Sequence, residues 1–141
     1  MPFRYEMKFR AETKNLIKIE EFIVSRLAKH NIDREIIDEI VISVDEAATN
    51  IIIHAYHHSG SGTLRIVLNY IENTQIIVTL YDRGEPFNPE SIEEPNLEKD
   101  FEHRSIGGLG LFLMRKFMDE VHFSFHAPKA ENELQMVKNL V

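Results

Sequence analysis

The sequence has no cysteine and no tryptophan among its 141 residues. The missing cysteine excludes structural disulfides, Cys-based zinc sites and thiol nucleophiles together. No run approaches the roughly 18 consecutive apolar residues of a membrane span. The charged N-terminus, with Arg4, Glu6 and Lys8 among its first residues, does not read as a signal peptide. Positive charge is also in deficit: 16 Lys and Arg stand against 23 Asp and Glu, a formal net charge of -7. This balance disfavours direct binding to nucleic acid or to an anionic membrane, because phosphate contacts need clustered Lys and Arg. It permits contact with a basic protein partner. Linkers, repeats and low-complexity tracts are absent as well. The expectation is one compact domain over residues 1–141 of a cytoplasmic protein. A chain of this length buries roughly 68–70% of its unfolded surface and needs no covalent staple.

What is present is periodic. Phe3, Tyr5, Met7 and Phe9 alternate with charged residues, the mark of an amphipathic strand. Thr13 and Asn15 offer helix-capping side chains, and Leu16, Ile19, Ile23 and Leu27 follow at helical spacing to about His30. After a break at Asn31 and Asp33, a long second helix is expected to about His57. Its apolar stripe is Ile36, Ile37, Ile40, Val41, Val44, Ala48, Ile51 and Ile52. A turn at Ser59–Gly62 leads into two strands, Leu64–Leu68 and Ile76–Leu80, joined by a hairpin at Glu72-Asn73-Thr74. Periodicity is lost from Asp82 to Ile106, where three prolines forbid a long helix and acidic residues collect. A loop of that length inside a compact domain is often functional. A third helix from about Gly108 to Asp119 and two strands, around Val121–Phe125 and Leu134–Leu140, complete the order βααββαββ. This order predicts an α+β two-layer sandwich, a mostly antiparallel mixed sheet with helices on one face. Met7, Met114, Met118 and Met136 read as core filler.

Three segments carry possible chemistry. Glu46, Asn50 and His54 recur every fourth residue along the second helix, one turn apart on one face and away from the apolar stripe. A carboxylate can accept a proton, and an amide oxygen is a hard ligand for Mg²⁺. A solvated helix face has the same pattern. Asp82-Arg83-Gly84-Glu85-Pro86 follows a strand directly. A carboxylate there can accept from an amino group, and Gly84 permits close backbone approach or positive φ. A strand-terminating turn uses the same residues. Gly107-Gly108-Leu109-Gly110 opens a helix, where exposed N–H groups and the helix dipole attract phosphate. No Gly-Lys-Ser/Thr follows, so this is not a P-loop, and a flexible helix entry would look alike. His54 and His58 have HxxxH spacing beside His57, but no third metal ligand is placed by sequence.

Together and in order, these segments resemble the nucleotide-binding boxes of the GHKL (Bergerat-fold) ATPases. The likeness is to the small bacterial anti-sigma-factor serine/threonine kinases of partner-switching systems. Asp45-Glu46-Ala47-Ala48-Thr49-Asn50 through Tyr56 resembles the N box, Asp82 through Pro89 the adenine box, and Gly107 through Met114 the glycine box. The resemblance implies a single ATP-binding kinase domain with a lid at about residues 88–107. Glu46 would be the general base, Asn50 the Mg²⁺ ligand, and Asp82 the acceptor for the adenine amine with Gly84 beside the base. Gly108, Leu109 and Gly110 would wrap the phosphates, and Arg104 would counter charge on the transferred group. Where the family often has Thr or Ser before the last strand, this chain reads Glu131-Asn132-Glu133.

By the same resemblance the expected activity is transfer of phosphate from ATP to a Ser or Thr of a STAS-type anti-sigma-factor antagonist. The protein would also sequester a sigma factor and form a homodimer. A non-enzymatic, ATP-gated binding module is the alternative, because the boxes chiefly encode nucleotide binding. A histidine-kinase ATP-binding domain would need an upstream dimerising helix pair bearing the phosphorylated His, and only about thirty residues precede the second helix.

Overall fold

The computed structural model describes residues 2–57, 59–86 and 108–141. The expected lid at 88–107, with Arg104 and Gly107, lies outside the described residues, as does His58.

Strand β1 spans Phe3–Arg10 and helix α1 Leu16–Ala28, with a 3₁₀ turn at Thr13–Asn15 between them. Helix α2 runs over Arg34–Asn50 and continues as a π turn, Ile51–Ala55. Strands β2 (Thr63–Ile71) and β3 (Gln75–Asp82) form the hairpin, and helix α3 is Gly108–Phe117. Strands β4 (Glu120–His126) and β5 (Glu131–Asn139) end the chain. The expected element order is therefore present. The sheet order is β1-β2-β3-β5-β4. Each of the four pairings is antiparallel, so the mixed sheet of the expectation is antiparallel throughout the described strands. β3 and β4 run in the same direction, and β5 is inserted between them.

Period-two alternation assigns each strand an inner face, and register aligns those faces into rows. Met7, Ile66, Leu80, Leu134 and Phe123 form one row across all five strands. The helices cover this side. Ile19, Ile23 and Leu27 of α1, Ile40, Val44 and Ala48 of α2, and Leu111 and Met114 of α3 bury themselves against Leu64, Ile66, Leu68, Ile76, Val78 and Met136. Each fully buried Leu or Ile contributes about 1.5–3 kcal/mol relative to an exposed position. Met114, Met118 and Met136 are core residues as expected, but Met7 is 43% exposed. β1 is an edge strand, and Met7 lines an open groove between it and α1.

Local details follow from the residues at the element ends. Asn15 does not cap α1 with its side chain. Its Nδ2 donates to the Arg10 carbonyl at 2.8 Å and ties the helix start to the end of β1. Asn31 adopts φ 56° between α1 and α2, and Asn73 adopts φ 57° in the hairpin turn, conformations that asparagine tolerates better than most residues. Among the described residues no helix is long and apolar enough to cross a membrane.

Lys138 interrupts the inner apolar row of β5. Its Nζ donates to the Phe117 carbonyl at the end of α3 (2.7 Å) and pairs with Glu39 Oε2 of α2 (3.1 Å). One cation thus joins both helices to the central sheet. Lys138→Met keeps the stem and removes the donors, so the Phe117 carbonyl and the Glu39 carboxylate lose a partner in a half-buried place. The expected loss is about 1–3 kcal/mol, read as a lower urea midpoint with an unchanged slope.

Candidate functional site

Beyond the Leu80–Leu134–Phe123 row, the next inner row consists of Asp82, Asn132 and Phe125. Opposed residues of an antiparallel pair bring their Cβ atoms within about 4.5–5.5 Å, so Asp82 and Asn132 meet directly. Asn132 Nδ2 donates to Asp82 Oδ1 at 2.9 Å and to the Gly84 carbonyl at 3.0 Å, while the Gly84 N–H donates to Asp82 Oδ1 at 2.9 Å. Asp82 is only 7% exposed. Burial pushes its carboxyl above the ordinary value of 3.8, and the bonds from Asn132 and Gly84 oppose that rise.

The polar row of α2 lies across from this floor, with Glu46 and Asn50 both half-buried. The start of α3 packs against them. A Cβ on Gly110 would stand 3.1 Å from Asn50 Nδ2 and 3.2 Å from Glu46 Oε2. Glycine at this position therefore lets the glycine segment close on the two residues assigned the chemistry. Leu109 is half-buried beside it, and the backbone of Gly108 begins the helix. The expected long second helix changes type directly after Asn50. The Ile51 N–H is shared between the Ala47 and Ala48 carbonyls, and the Tyr56 N–H reaches the Ile51 carbonyl at 3.0 Å. π turns inside helices occur frequently at functional sites.

The end of this helix is strapped to the segment after Asp82. The Glu85 N–H donates to the Ala55 carbonyl at 2.8 Å, and the Arg83 N–H donates to Tyr56 Oη at 2.7 Å. Tyr56 Oη in turn donates to the Thr63 carbonyl at 2.8 Å. Burial raises the Tyr56 phenol above its usual pKa, which keeps this donor protonated. His57 Nε2 meets Glu85 Oε2 at 2.7 Å. Gly84 is needed here for packing: its φ is not positive, and a Cβ would lie 2.5 Å from the Ala55 carbonyl oxygen. The backbone it approaches within the chain is that of Ala55, a reason that its position after a strand does not reveal.

Between floor, helix and strap lies a cavity of about 460 Å³, within the roughly 300–1,000 Å³ of small-molecule and cofactor sites. Ile51, Ala55, Met114, Leu134 and Phe123 supply apolar wall, and Asn50, Asp82 and Asn132 polar atoms. An apolar slot ending in a buried carboxylate fits a heteroaromatic base with an amino group. Asn50, Glu46 and the glycine-rich start of α3 adjoin it on the side suited to phosphates. His54 lines the cavity while His57 pairs with Glu85. No group of three possible metal-binding His, Asp or Glu residues occurs among the described residues. The structure thus brings together Glu46, Asn50 and Gly110, and separately Asp82 and Gly84. Sequence reading assigned no role to Tyr56 or Phe123, and it named Asn132 only within the stretch where the family often has Thr or Ser. For Asn132 a signal existed: it lies two residues before Leu134, as Asp82 lies two after Leu80, so strand alternation puts both on the inner face.

Fold and cavity define an α+β domain with a cofactor-sized cavity between its helices and one end of the sheet. The family model described as the histidine kinase-like ATPase domain matches residues 9–138, and the chain belongs to that family. It is 36% identical over 91 residues to the serine-protein kinase RsbW of Oceanobacillus iheyensis, a match covering 62% of this chain and 57% of that protein. For RsbW of Halalkalibacterium halodurans the figures are 38% over 89 residues, 60% and 53%. The chain thus spans a little over half the length of these two relatives. Against the anti-sigma F factor of Pasteuria penetrans identity is 30% over 144 residues, covering 97% of this chain and 91% of that one. Two solved structures share the fold. The RsbU and RsbW domains of a Mycobacterium tuberculosis protein align with TM-score 0.69 at 14% identity, over 96% of this chain and 32% of that one. The SiaB–SiaC complex of Pseudomonas aeruginosa aligns with TM-score 0.64 at 13% identity, over 96% and 89%.

Asp82 generates a prediction with a definite sign. Its folded pKa lies above the unfolded value, so its contribution to stability is present below about pH 3.8 and is lost as pH rises through the folded pKa. Asp82→Asn retains an oxygen for Asn132 and Gly84, carries no charge to desolvate, and turns the second oxygen into a donor. The variant should match or exceed the parent in stability at pH 7, with an advantage that shrinks as pH falls toward 4, and it should lose adenine-nucleotide affinity. Denaturation midpoints at the two pH values and a nucleotide titration check both halves.

Proposed function

We infer that this protein is an ATP-dependent serine/threonine protein kinase of a partner-switching system. It phosphorylates a STAS-type anti-sigma-factor antagonist and sequesters a sigma factor or equivalent partner. The observation that carries this reading is the convergence of Glu46 and Asn50 on Gly110, beside a cavity closed by the buried Asp82. Family membership and the RsbW and anti-sigma F relatives support it.

Each residue has a role set by its chemistry. The Asp82 carboxylate accepts from the adenine amine, with Gly84 holding the adjoining backbone in place. Gly108, Leu109 and Gly110 bring backbone N–H groups and the positive end of the α3 dipole toward the phosphates. Asn50 offers an amide oxygen to Mg²⁺, an ion that keeps several waters and takes few protein ligands. ATP supplies the phosphoryl group, and Mg²⁺ neutralises charge on the phosphates. Glu46 takes the proton of the attacking Ser or Thr hydroxyl. Arg104, in the lid at about 88–107, counters charge on the transferred group. The working unit is a homodimer in the cytoplasm. A phosphate adds about -1.5 to -2 charges to the antagonist, which an acidic kinase of net charge -7 repels, so the modified antagonist is released and the kinase is free for its other partner.

Labelled ATP-Mg²⁺ with a purified STAS-domain antagonist tests the activity: acid-stable label is expected on a Ser or Thr of the antagonist. Glu46→Gln should slow transfer by roughly 10²–10⁴-fold while leaving nucleotide affinity nearly unchanged. Transfer at the parental rate by that variant removes Glu46 from the assigned role. Tight ATP binding without any label on the antagonist identifies the chain instead as a nucleotide-gated binding module.

A further inference from the structure

A side chain closes the site end of the β2–β3 ladder. The last pair of that ladder is Arg65 with Tyr81. The same register would next bring Leu64 to Asp82 and Thr63 to Arg83. Successive carbonyls of a strand point to opposite neighbours. The Gly62 carbonyl takes the Ala11 N–H on the β1 side at 2.8 Å, so the Thr63 carbonyl points toward β3. Register and direction therefore call for a direct bond from the Arg83 N–H to the Thr63 carbonyl. Tyr56 Oη stands in its place. It accepts from the Arg83 N–H at 2.7 Å and donates to the Thr63 carbonyl at 2.8 Å. A hydroxyl has one proton, so both directions are fixed and the phenol keeps no donor for a ligand. The ring lies against Gly62, where a Cβ would overlap it. The last glycine of the turn at residues 59–62 thus makes room for Tyr56.

The inserted hydroxyl acts on the chain that follows Asp82. Kept off β2 at Arg83, this chain turns to the end of the helix instead, where Gly84 packs on Ala55 and the Glu85 N–H reaches the Ala55 carbonyl at 2.8 Å. Ala55, Asp82, Glu85 and Pro86 line the cavity, whereas Tyr56, Gly62, Thr63 and Arg83 are not among its lining residues. Tyr56 therefore stands behind one wall. Resting on the ATP reading above, we propose that Tyr56 is a positioning residue whose hydroxyl, inserted between the two strand ends, holds the wall at residues 82–86 in place for the nucleotide. Lying behind the wall and away from Glu46 and Asn50, it governs nucleotide affinity and not the rate of phosphate transfer. A bridge that served stability alone would, when lost, lower the unfolding free energy and leave affinity as it was.

Tyr56→Phe keeps the ring against Gly62 and removes the bridge. In calorimetric titration of the full chain with ADP-Mg²⁺, this variant should bind about fivefold to tenfold more weakly than the parent. In the transfer assay the KM for ATP should rise by a similar factor, with kcat held within about twofold. Gly62→Ala displaces the ring from outside the cavity and should produce the same split. ADP bound by Tyr56→Phe as tightly as by the parent, with a lowered urea midpoint, leaves Tyr56 a stabilising role only and overturns the proposal. A fall in kcat at unchanged KM overturns it too. Should neither variant fold, hydrogen exchange in the unmodified chain decides. A bridge that favours ADP is by reciprocity favoured by ADP, so the Arg83 amide should exchange about fivefold to tenfold more slowly with the nucleotide bound. Equal exchange of that amide with and without ADP rejects the positioning role. No ADP binding by the parent rejects the ATP reading and the proposal with it, whereas ADP binding that is indifferent to Tyr56 rejects the proposal alone.

Discussion

The register between β3 and β5 is the constraint on which the site depends. It sets Asp82 opposite Asn132 and Leu80 opposite Leu134, so the floor is polar in one row and apolar in the next. A slip of β5 by one residue against β3 would turn the inner side chains of β5 outward. It would separate the carboxylate from its amide and leave Asp82 buried without that donor. The same pairing also fixes β4, which contacts the sheet through β5 alone, and hence the aromatic wall of Phe123 and Phe125. Alignment between two strands thereby determines the electrostatics of the Asp82 end of the cavity and its shape.

The end of the cavity at Glu46 and Asn50 is held by different means. α2 carries Glu46 and Asn50 on a helix whose other side is anchored in the core by Ile40, Val44 and Ala48, so their positions are inherited from apolar packing. α3 approaches closely because Gly110 has no side chain. Past Asn50 the helix widens into the π turn, and its last carbonyl and Tyr56 bind the backbone that follows Asp82. One continuous helix therefore touches both ends of the cavity, through side chains at one end and backbone at the other. This arrangement suits a ligand with a flat base and a charged tail, since neither end can shift without the other.

Much of the fold is legible in the sequence because the signals are local. Alternation at Phe3–Phe9 reports a strand, helical spacing from Leu16 to Leu27 reports a buried helix face, and Asn31 and Asn73 mark turns through their tolerance of positive φ. The candidate residues Glu46, Asn50 and Asp82 are legible as boxes in order, while Arg104 lies outside the described residues. What escapes local reading depends on partners distant in sequence. Met7 follows the strand pattern yet is exposed, because the coverage of an edge strand depends on where α1 ends up. The close packing of Gly84 on Ala55, 29 positions earlier, has no signal in the residues around it. The change from α to π after Asn50 reflects the strap that receives it. The bond of Asn132 to Asp82 spans a separation of 50 residues.

The insertion of β5 between β3 and β4 has a consequence for how the domain comes apart. β1, β2 and β3 pair with neighbours in chain order, with α1 and α2 lying between the first two, so this portion is built largely from successive contacts. The β4–β5 hairpin is a second local unit, and it joins the first along the β3–β5 ladder and through the Lys138–Glu39 pair. Native proteins can open along boundaries between such local units below the global unfolding free energy, and this ladder is one such boundary. Asp82 lies on one side of it and Asn132 on the other, so opening the ladder there would dismantle the polar floor of the cavity. A ligand seated across both strands pulls the equilibrium toward the closed ladder by mass action. Occupancy of the cavity and cohesion between the two halves of the chain are thus a single thermodynamic quantity seen from two sides.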